Sequence, residues 1–247
     1  SGNYKIGHDS DAFAYDSEGP AHTHHLRSFE IANRPVNCGE FIEFIEDGGY
    51  ERAELWHSDG WQTVESDDWN APLYWEKVDG KWHLYTLGGL RPIEPDETLA
   101  HISFYEASAF AKWARQHSTP GARLPTEAEW EVACRRAPTP TQGSPAHTAD
   151  SLLFHPTRPS QRAHDTELYQ PFGSVWEWTS SAFEPYPGFE AWDGGIGEYN
   201  GKFMVNQYVL RGGSCATPAD HIRATYRNFF YPDARWQFSG LRLARDR

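Results

Sequence analysis

Residues 198–245 read EYNGKFMVNQYVLRGGSCATPADHIRATYRNFFYPDARWQFSGLRLAR, a run almost half aromatic, glycine, arginine and asparagine. Gly212-Gly213 and Gly240 stand where backbone must pass closely, and Arg211, Arg223, Arg227, Arg235 and Arg242 alternate with Tyr and Phe. A core strand has no use for five arginines. Planar guanidinium forks stack on rings and grip carboxylates, so this composition suits a packed, irregular polar site. Two readings stay open at this point: a binding site, or arginines that brace long loops in a strand-poor fold.

Working outward, 247 residues suffice for a sizeable core in one large domain or two small ones. Only 38% of residues are hydrophobic, yet there are 11 Trp, 14 Phe and 12 Tyr, so large rings supply much of the buried area. Seventeen Pro and 21 Gly with few periodic runs predict a loop-rich fold rather than a bundle or a repeat array. A formal charge of −13 argues against a nucleic-acid or anionic-membrane partner, which needs a basic face. No apolar run reaches the roughly 18 residues of a membrane span, and no signal pattern opens the chain. The polar start Ser1-Gly2-Asn3 reads as that of a processed or truncated product. Cys38, Cys134 and Cys215 are odd in number and never paired as C-x-x-C, which points to reduced thiols in a cytoplasmic protein.

Three helix starts carry a mechanism. Asn37/Glu40, Ser103/Glu106 and Thr126/Glu129 are capping pairs, in which the cap oxygen accepts an orphan amide and the Glu reaches back. Gly48-Gly49 predicts the stop of the first helix. The tryptophan-dense stretch 56–82 contains two turn signals, Ser58-Asp59-Gly60 and Val78-Asp79-Gly80, the second predicting a β-hairpin. Residues 137–172 read as a surface excursion. Strands are predicted around Val175–Thr179, Tyr208–Gly212 and Gly240–Ala244. With no repeat and no clear linker, a single domain over 1–247 is the reading.

Three candidates for chemistry stand beside blander accounts. His22-x-His24, with Glu30, has the half of a metal site that a strand would present on one side, but no third ligand follows and surface histidines are the default. No H-x-x-x-H pair occurs among the 12 histidines, so no metal ligand is assigned to this chain. Cys215 lies among cations that lower a thiol pKa, yet only His221 offers itself as a base; a small buried thiol is the better account. In Trp176-Glu177-Trp178, alternation turns Glu177 away from the rings, toward an arginine inside the fold.

Four runs, Arg123–Glu131 (RLPTEAEWE), Gly173–Thr179 (GSVWEWT), Leu210–Ser214 (LRGGS) and Gly240–Ala244 (GLRLA), resemble the signatures of the formylglycine-generating-enzyme (sulfatase-modifying factor) family. The resemblance runs from about Ile6 to Arg245. It implies an α+β fold, a loop-rich variant of the C-type lectin fold with little regular secondary structure. The paired copper-binding cysteines of a formylglycine-generating enzyme have no counterpart after Ser214, where Cys215 stands alone. A closer resemblance, on Ile6–Asp9, Asn33–Val36, Gly48–Tyr50, Ala71–Trp75, Glu198–Met204 and Tyr226–Phe230, is to the C-terminal domain of ergothioneine-type sulfoxide synthases, the hercynine oxygenases.

That family uses non-haem iron(II) and dioxygen to join a thiol to hercynine. The resemblance implies iron on a DinB-like N-terminal helical domain that is absent here, so the chain is expected to be a fragment or one subunit of a split enzyme. The implied substrate-binding residues are Arg227, Asn228, Phe229, Phe230 and Arg235, with Tyr199 and Tyr226 as proton donors. Phe230 replaces an aspartate of some members, which favours cysteine over γ-glutamylcysteine. Calcium is a further candidate with no clear ligand set. The alternatives are a non-catalytic lectin-like binding module and a divergent formylglycine-generating oxidase.

Overall fold

The computed structural model describes residues 1–140, 147–158 and 168–247, apart from the side chains of Ile196, Glu198 and Tyr199. Its helices are α1 (Cys38–Glu46), α2 (Ser58–Ser66), α3 (Phe104–His117), α4 (Glu127–Cys134) and α5 (Gly195–Gly201). All three predicted capping pairs open helices. Asn37 Oδ1 accepts from Glu40 N at 2.8 Å while Glu40 Oε2 takes the Asn37 amide at 3.0 Å, and Ser103/Glu106 and Thr126/Glu129 repeat the exchange at α3 and α4. Gly48, at φ +77°, ends α1 as the sequence predicts.

One turn signal is overturned. Ser58-Asp59-Gly60 does not turn the chain but forms the first turn of α2, behind an extended His57. Asp59 suits that place because the helix N-terminus favours a negative charge. Gly60 is there for packing, since a Cβ would lie 2.8 Å from Tyr105 Cγ.

The strands are β1 (Gly2–Ile6), β2 (His22–Leu26), β3 (Phe29–Ile31), β4 (Trp75–Val78), β5 (Lys81–Thr86), β6 (Gly89–Pro92), β7 (Trp176–Ala182), β8 (Tyr208–Arg211), β9 (Asn228–Phe230), β10 (Ser239–Leu241) and β11 (Ala244–Asp246). The central sheet has the order β10-β7-β8-β9; β10 runs parallel to β7, and the other neighbours are antiparallel. β4 and β5 form the predicted hairpin, with Asp79 at φ +49° and Gly80 at +76° making the tight turn, and β6 extends it. β1 pairs with β2, and β11 with β3. The whole is an α+β architecture of short helices and strands joined by long loops, as the motifs imply.

The main core lies where α1 and α3 pack on the central sheet. Phe41 and Phe44 are fully buried, Phe41 stacks on Phe110 at 5.4 Å, and Phe44 meets Trp113 edge-on at 5.8 Å. Each such ring contributes about 1.5–3 kcal/mol by leaving water. Trp178 is also fully buried and hands its indole proton to the Ile102 carbonyl at 2.9 Å. Gly212, at φ +98°, passes so close to the Pro171 carbonyl that a Cβ would lie 2.4 Å from its oxygen.

Glu177 turns away from its flanking indoles, as the alternation requires. It is 1% exposed and receives the fully buried Arg242 guanidinium at 2.8 Å and the Trp130 indole at 2.7 Å. All three cysteines are free and buried. Burial pushes the Cys215 thiol up to about 12 and those of Cys38 and Cys134 higher still, so each is a poor nucleophile. The 22–25 histidines lie on β2, where His22 packs on Tyr186 at 4.5 Å and His25 Nδ1 meets Asn3 Oδ1 at 2.9 Å.

Candidate functional site

The sheet ends at β9, an edge strand only three residues long that pairs with β8 on one side. The chain reaches it from Arg227, whose side chain is anchored inside the fold. Its guanidinium donates to Glu127 at 2.9 and 3.0 Å, to the Ser17 carbonyl at 2.8 Å and to the Glu184 carbonyl at 2.9 Å, and lies 4.0 Å over the Tyr186 ring. Arg211 joins the same carboxylate at 2.8 Å. Burial alone would raise the Glu127 pKa, but the two guanidiniums outweigh it and hold the carboxyl below its ordinary value. With β9 pinned on this network, a cleft of about 440 Å³ opens beside it, lined by Tyr15, Gly195, Asn200, Tyr226, Arg227, Asn228, Phe229 and Phe230.

Side-chain chemistry in the cleft is mainly amide and aromatic. Asn228 Oδ1 accepts from the Phe229 amide at 3.0 Å, and its δ-NH₂ has no protein partner among the described residues. Phe229 stacks flat on Phe183, with centroids 4.0 Å apart and planes 9° off parallel. Phe230 meets Trp236 edge-on at 5.1 Å. Tyr226 is packed by Trp176 at 5.2 Å and Tyr15 at 5.7 Å, and its hydroxyl lies 3.3 Å from His221 Nε2. Burial, then the nearby Arg223, lowers the His221 pKa, which favours the neutral imidazole. Arg223 is clamped by Glu18, Nε to Oε2 at 2.8 Å, and lies 4.9 Å over the Tyr226 ring. Asn200 donates its side-chain amide to Asp16, tying α5 to the far wall.

The structure therefore brings Tyr226, Arg227, Asn228, Phe229 and Phe230 to one cleft. It does not bring Arg235 there. That guanidinium lies 4.1 Å over the Trp69 ring, donates to the Ala71 carbonyl and faces Glu106 at 3.8 Å, beside a separate cleft in the 67–75 loop. Tyr199 is within α5, and its side chain lies outside the described residues. Tyr15 and Asn200 were missed by the sequence reading; Tyr15 lies more than 200 positions before β9, and no local pattern joins it to Tyr226.

Among the described residues no group of three or more His, Cys, Asp or Glu is placed to hold a metal ion. The described residues therefore present no donor set that fits iron(II). No described helix is long and apolar enough to cross a membrane.

Fold and sequence together place the chain in a family: residues 1–247 match the sulfatase-modifying factor enzyme 1-like domain, and the chain belongs to it. Within that family it is similar to the hercynine oxygenase of Mycobacterium tuberculosis, with 37% identity over 94% of this chain and 56% of the relative. It is also similar to the hercynine oxygenase of Mycolicibacterium smegmatis, at 36% over 99% and 60%. The chain thus spans a little over half the length of these curated relatives. Among solved structures, PvdO from Pseudomonas aeruginosa superposes with a TM-score of 0.66 over 100% of this chain and 92% of its own, at 18% identity, a likeness of fold alone.

Proposed function

We propose that this chain is the substrate-binding half of an iron(II)- and dioxygen-dependent sulfoxide synthase that joins cysteine to hercynine in ergothioneine biosynthesis. The observation that carries the reading is the cleft along β9, where Tyr226, Asn228, Phe229 and Phe230 converge. Similarity to two hercynine oxygenases, each much longer than this chain, supports it.

In this reading iron(II) supplies the oxygen chemistry and is held by a DinB-like helical domain or subunit; the described residues here offer it no ligand set. This chain's part is binding, orientation and proton handling. The trimethylammonium head of hercynine is attracted to ring faces, at about 0.5–2 kcal/mol per contact. Tyr15, Tyr226 and Phe230 supply such rings in the cleft. Asn228 offers two unpartnered N–H donors to an imidazole nitrogen or a carboxylate, while the Phe229–Phe183 stack keeps the strand from shifting. A proton released or required at the Tyr226 hydroxyl has His221 Nε2 as its neighbour. Phe230 offers no charge to the α-amino group of γ-glutamylcysteine, so free cysteine is the favoured thiol.

Calorimetry with hercynine is the first test: the chain should bind it, and Asn228→Ala should bind it about ten-fold more weakly, the value of one hydrogen bond. Mixed with an iron-bearing helical partner, hercynine and cysteine, it should consume oxygen. Tighter use of γ-glutamylcysteine than of cysteine would overturn the thiol assignment, and no hercynine binding with or without the partner would overturn the site.

A further inference from the structure

Of the elements that border the β9 cleft, α5 has the least reason in its own sequence to form. Gly195–Gly201 reads GIGEYNG, seven residues with three glycines, and its N-cap, Gly194, has no side chain to cap the helix. Glycine is a poor helix former, and helices shorter than about 12 residues do not hold in water unaided. Yet Gly195 and Asn200 line the cleft together with Asn228, Phe229 and Phe230. A contact from outside the helix has to fix it.

That contact is Asp16, 184 positions before Asn200. Asp16 is 5% exposed, and its carboxylate accepts from three neutral N–H groups. One is the Asn200 side-chain amide in the last turn of α5; a second is the Trp192 amide at 3.4 Å, just ahead of the helix; the third is the neighbouring Ser17 amide at 2.7 Å. The helix is thus gripped near both ends. Asn200 is itself buried, so its amide has Asp16 in place of water.

The same short 3₁₀ turn, Asp16–Glu18, is fastened on its other side to the approach to β9. The Ser17 carbonyl accepts from Arg227 at 2.8 Å. Fully buried Glu18 accepts from Arg223 Nε at 2.8 Å, from the Thr225 hydroxyl at 2.7 Å and from the Tyr15 amide at 2.9 Å. Tyr15 lines the cleft and meets Tyr226 edge-on at 5.7 Å. Four consecutive residues therefore hold one wall through Asp16 and the other through Ser17 and Glu18.

We infer that Asp16 is a positioning residue of the β9 cleft: through Asn200 and the Trp192 amide it sets where α5 stands relative to β9, and so the space a ligand enters. The inference rests on the reading of that cleft as the hercynine site. Beyond α5 in the same segment, Met204–Gln207 line a larger cleft of about 940 Å³ with Asp59, Glu184 and Asp233, and a carboxylate there serves as a control for net charge.

Four variants of the intact chain test it, by hercynine calorimetry and by backbone hydrogen exchange over residues 192–203 without ligand. Asp16→Ala leaves the buried Asn200 amide without its acceptor, so hercynine should bind about ten-fold more weakly and exchange over α5 should rise. Asn200→Asp sets two carboxylates against each other and should do the same. The double variant Asp16→Asn Asn200→Asp lets the hydrogen bond form again with donor and acceptor exchanged. Its affinity should return to within about three-fold of wild type, and its exchange should slow again. Asp233→Asn should change neither. Affinities are taken well below each melting temperature, where a loss of global stability alone would not move them. A double variant no better than Asn200→Asp overturns the inference, as does Asp16→Ala binding hercynine like the wild type. Equal weakening by Asp233→Asn also overturns it, because then net charge and not position is at work. Exchange over α5 that Asp16→Ala leaves unchanged overturns it without reference to any ligand. If the wild-type chain binds no hercynine, the reading of the site fails, while the exchange comparison still decides the role of Asp16.

Discussion

Arg227 and Asn228 are chain neighbours, yet they belong to opposite kinds of region. Arg227 ends in a buried network with Glu127 and Arg211, where two guanidiniums share one carboxylate. Asn228 begins an edge strand whose amide donors and rings face open space. The same division runs through the whole 198–245 segment. Arg211, Arg223, Arg227 and Arg242 each bind an acidic residue far away in sequence, such as Glu127 across 100 positions or Glu18 across 205. The lesson is that the arginines, the loudest feature of the sequence, hold loops together, while quieter neighbours line the cleft.

The sharpest way to break that contrast is to strip one partner from the closed side. Glu177→Ala leaves the fully buried Arg242 guanidinium without its carboxylate and should cost about 3–5 kcal/mol in chemical denaturation, against a much smaller loss for variants in the cleft. A second effect comes from His101, 8% exposed, whose pKa burial lowers from 6.5 to about 4. The unfolded state binds the extra proton between those values, so stability is complete above pH 6.5 and falls as pH drops toward 4, by about 3 kcal/mol. His101→Asn, which tolerates the φ of +64° at this position, should flatten that slope in a pH series of melts. Third, Asn228→Ala should lose about ten-fold in hercynine affinity with an unchanged melting temperature, as suits a side chain that supports no neighbour but its own strand. Equal losses of affinity and stability would erase the distinction between the two regions. Smallest is Asn37→Ala, which removes the α1 cap and should cost about 1 kcal/mol with no effect on binding.

Local rules were readable where partners sit close in the chain. The three capping pairs span three residues each, the Asp79-Gly80 turn is a two-residue signal, and the inward face of Glu177 follows from strand alternation. Rules that depend on distant packing were not. Gly60 looks like a turn residue until Tyr105, 45 positions later, is seen lying against it. β1 carried no strand signal because its three central residues are exposed, leaving no apolar alternation to read. For the candidate site, the motif residues Tyr226–Phe230 fall together on one cleft, but Arg235 shows the limit: composition alone cannot tell that its charge is directed at Trp69 and Glu106. Tyr15 and Asn200 complete the wall from segments that carry no signature of their own.

Met204 has a practical consequence. The sequence contains a single methionine, and it stands on the rim of the larger cleft, half-buried beside the acidic residues. Isotopic labelling of methionine methyl groups would therefore give one resonance in a 28.2 kDa molecule, with no assignment problem. That lone signal is a built-in spectroscopic reporter of whatever enters from solvent on that side.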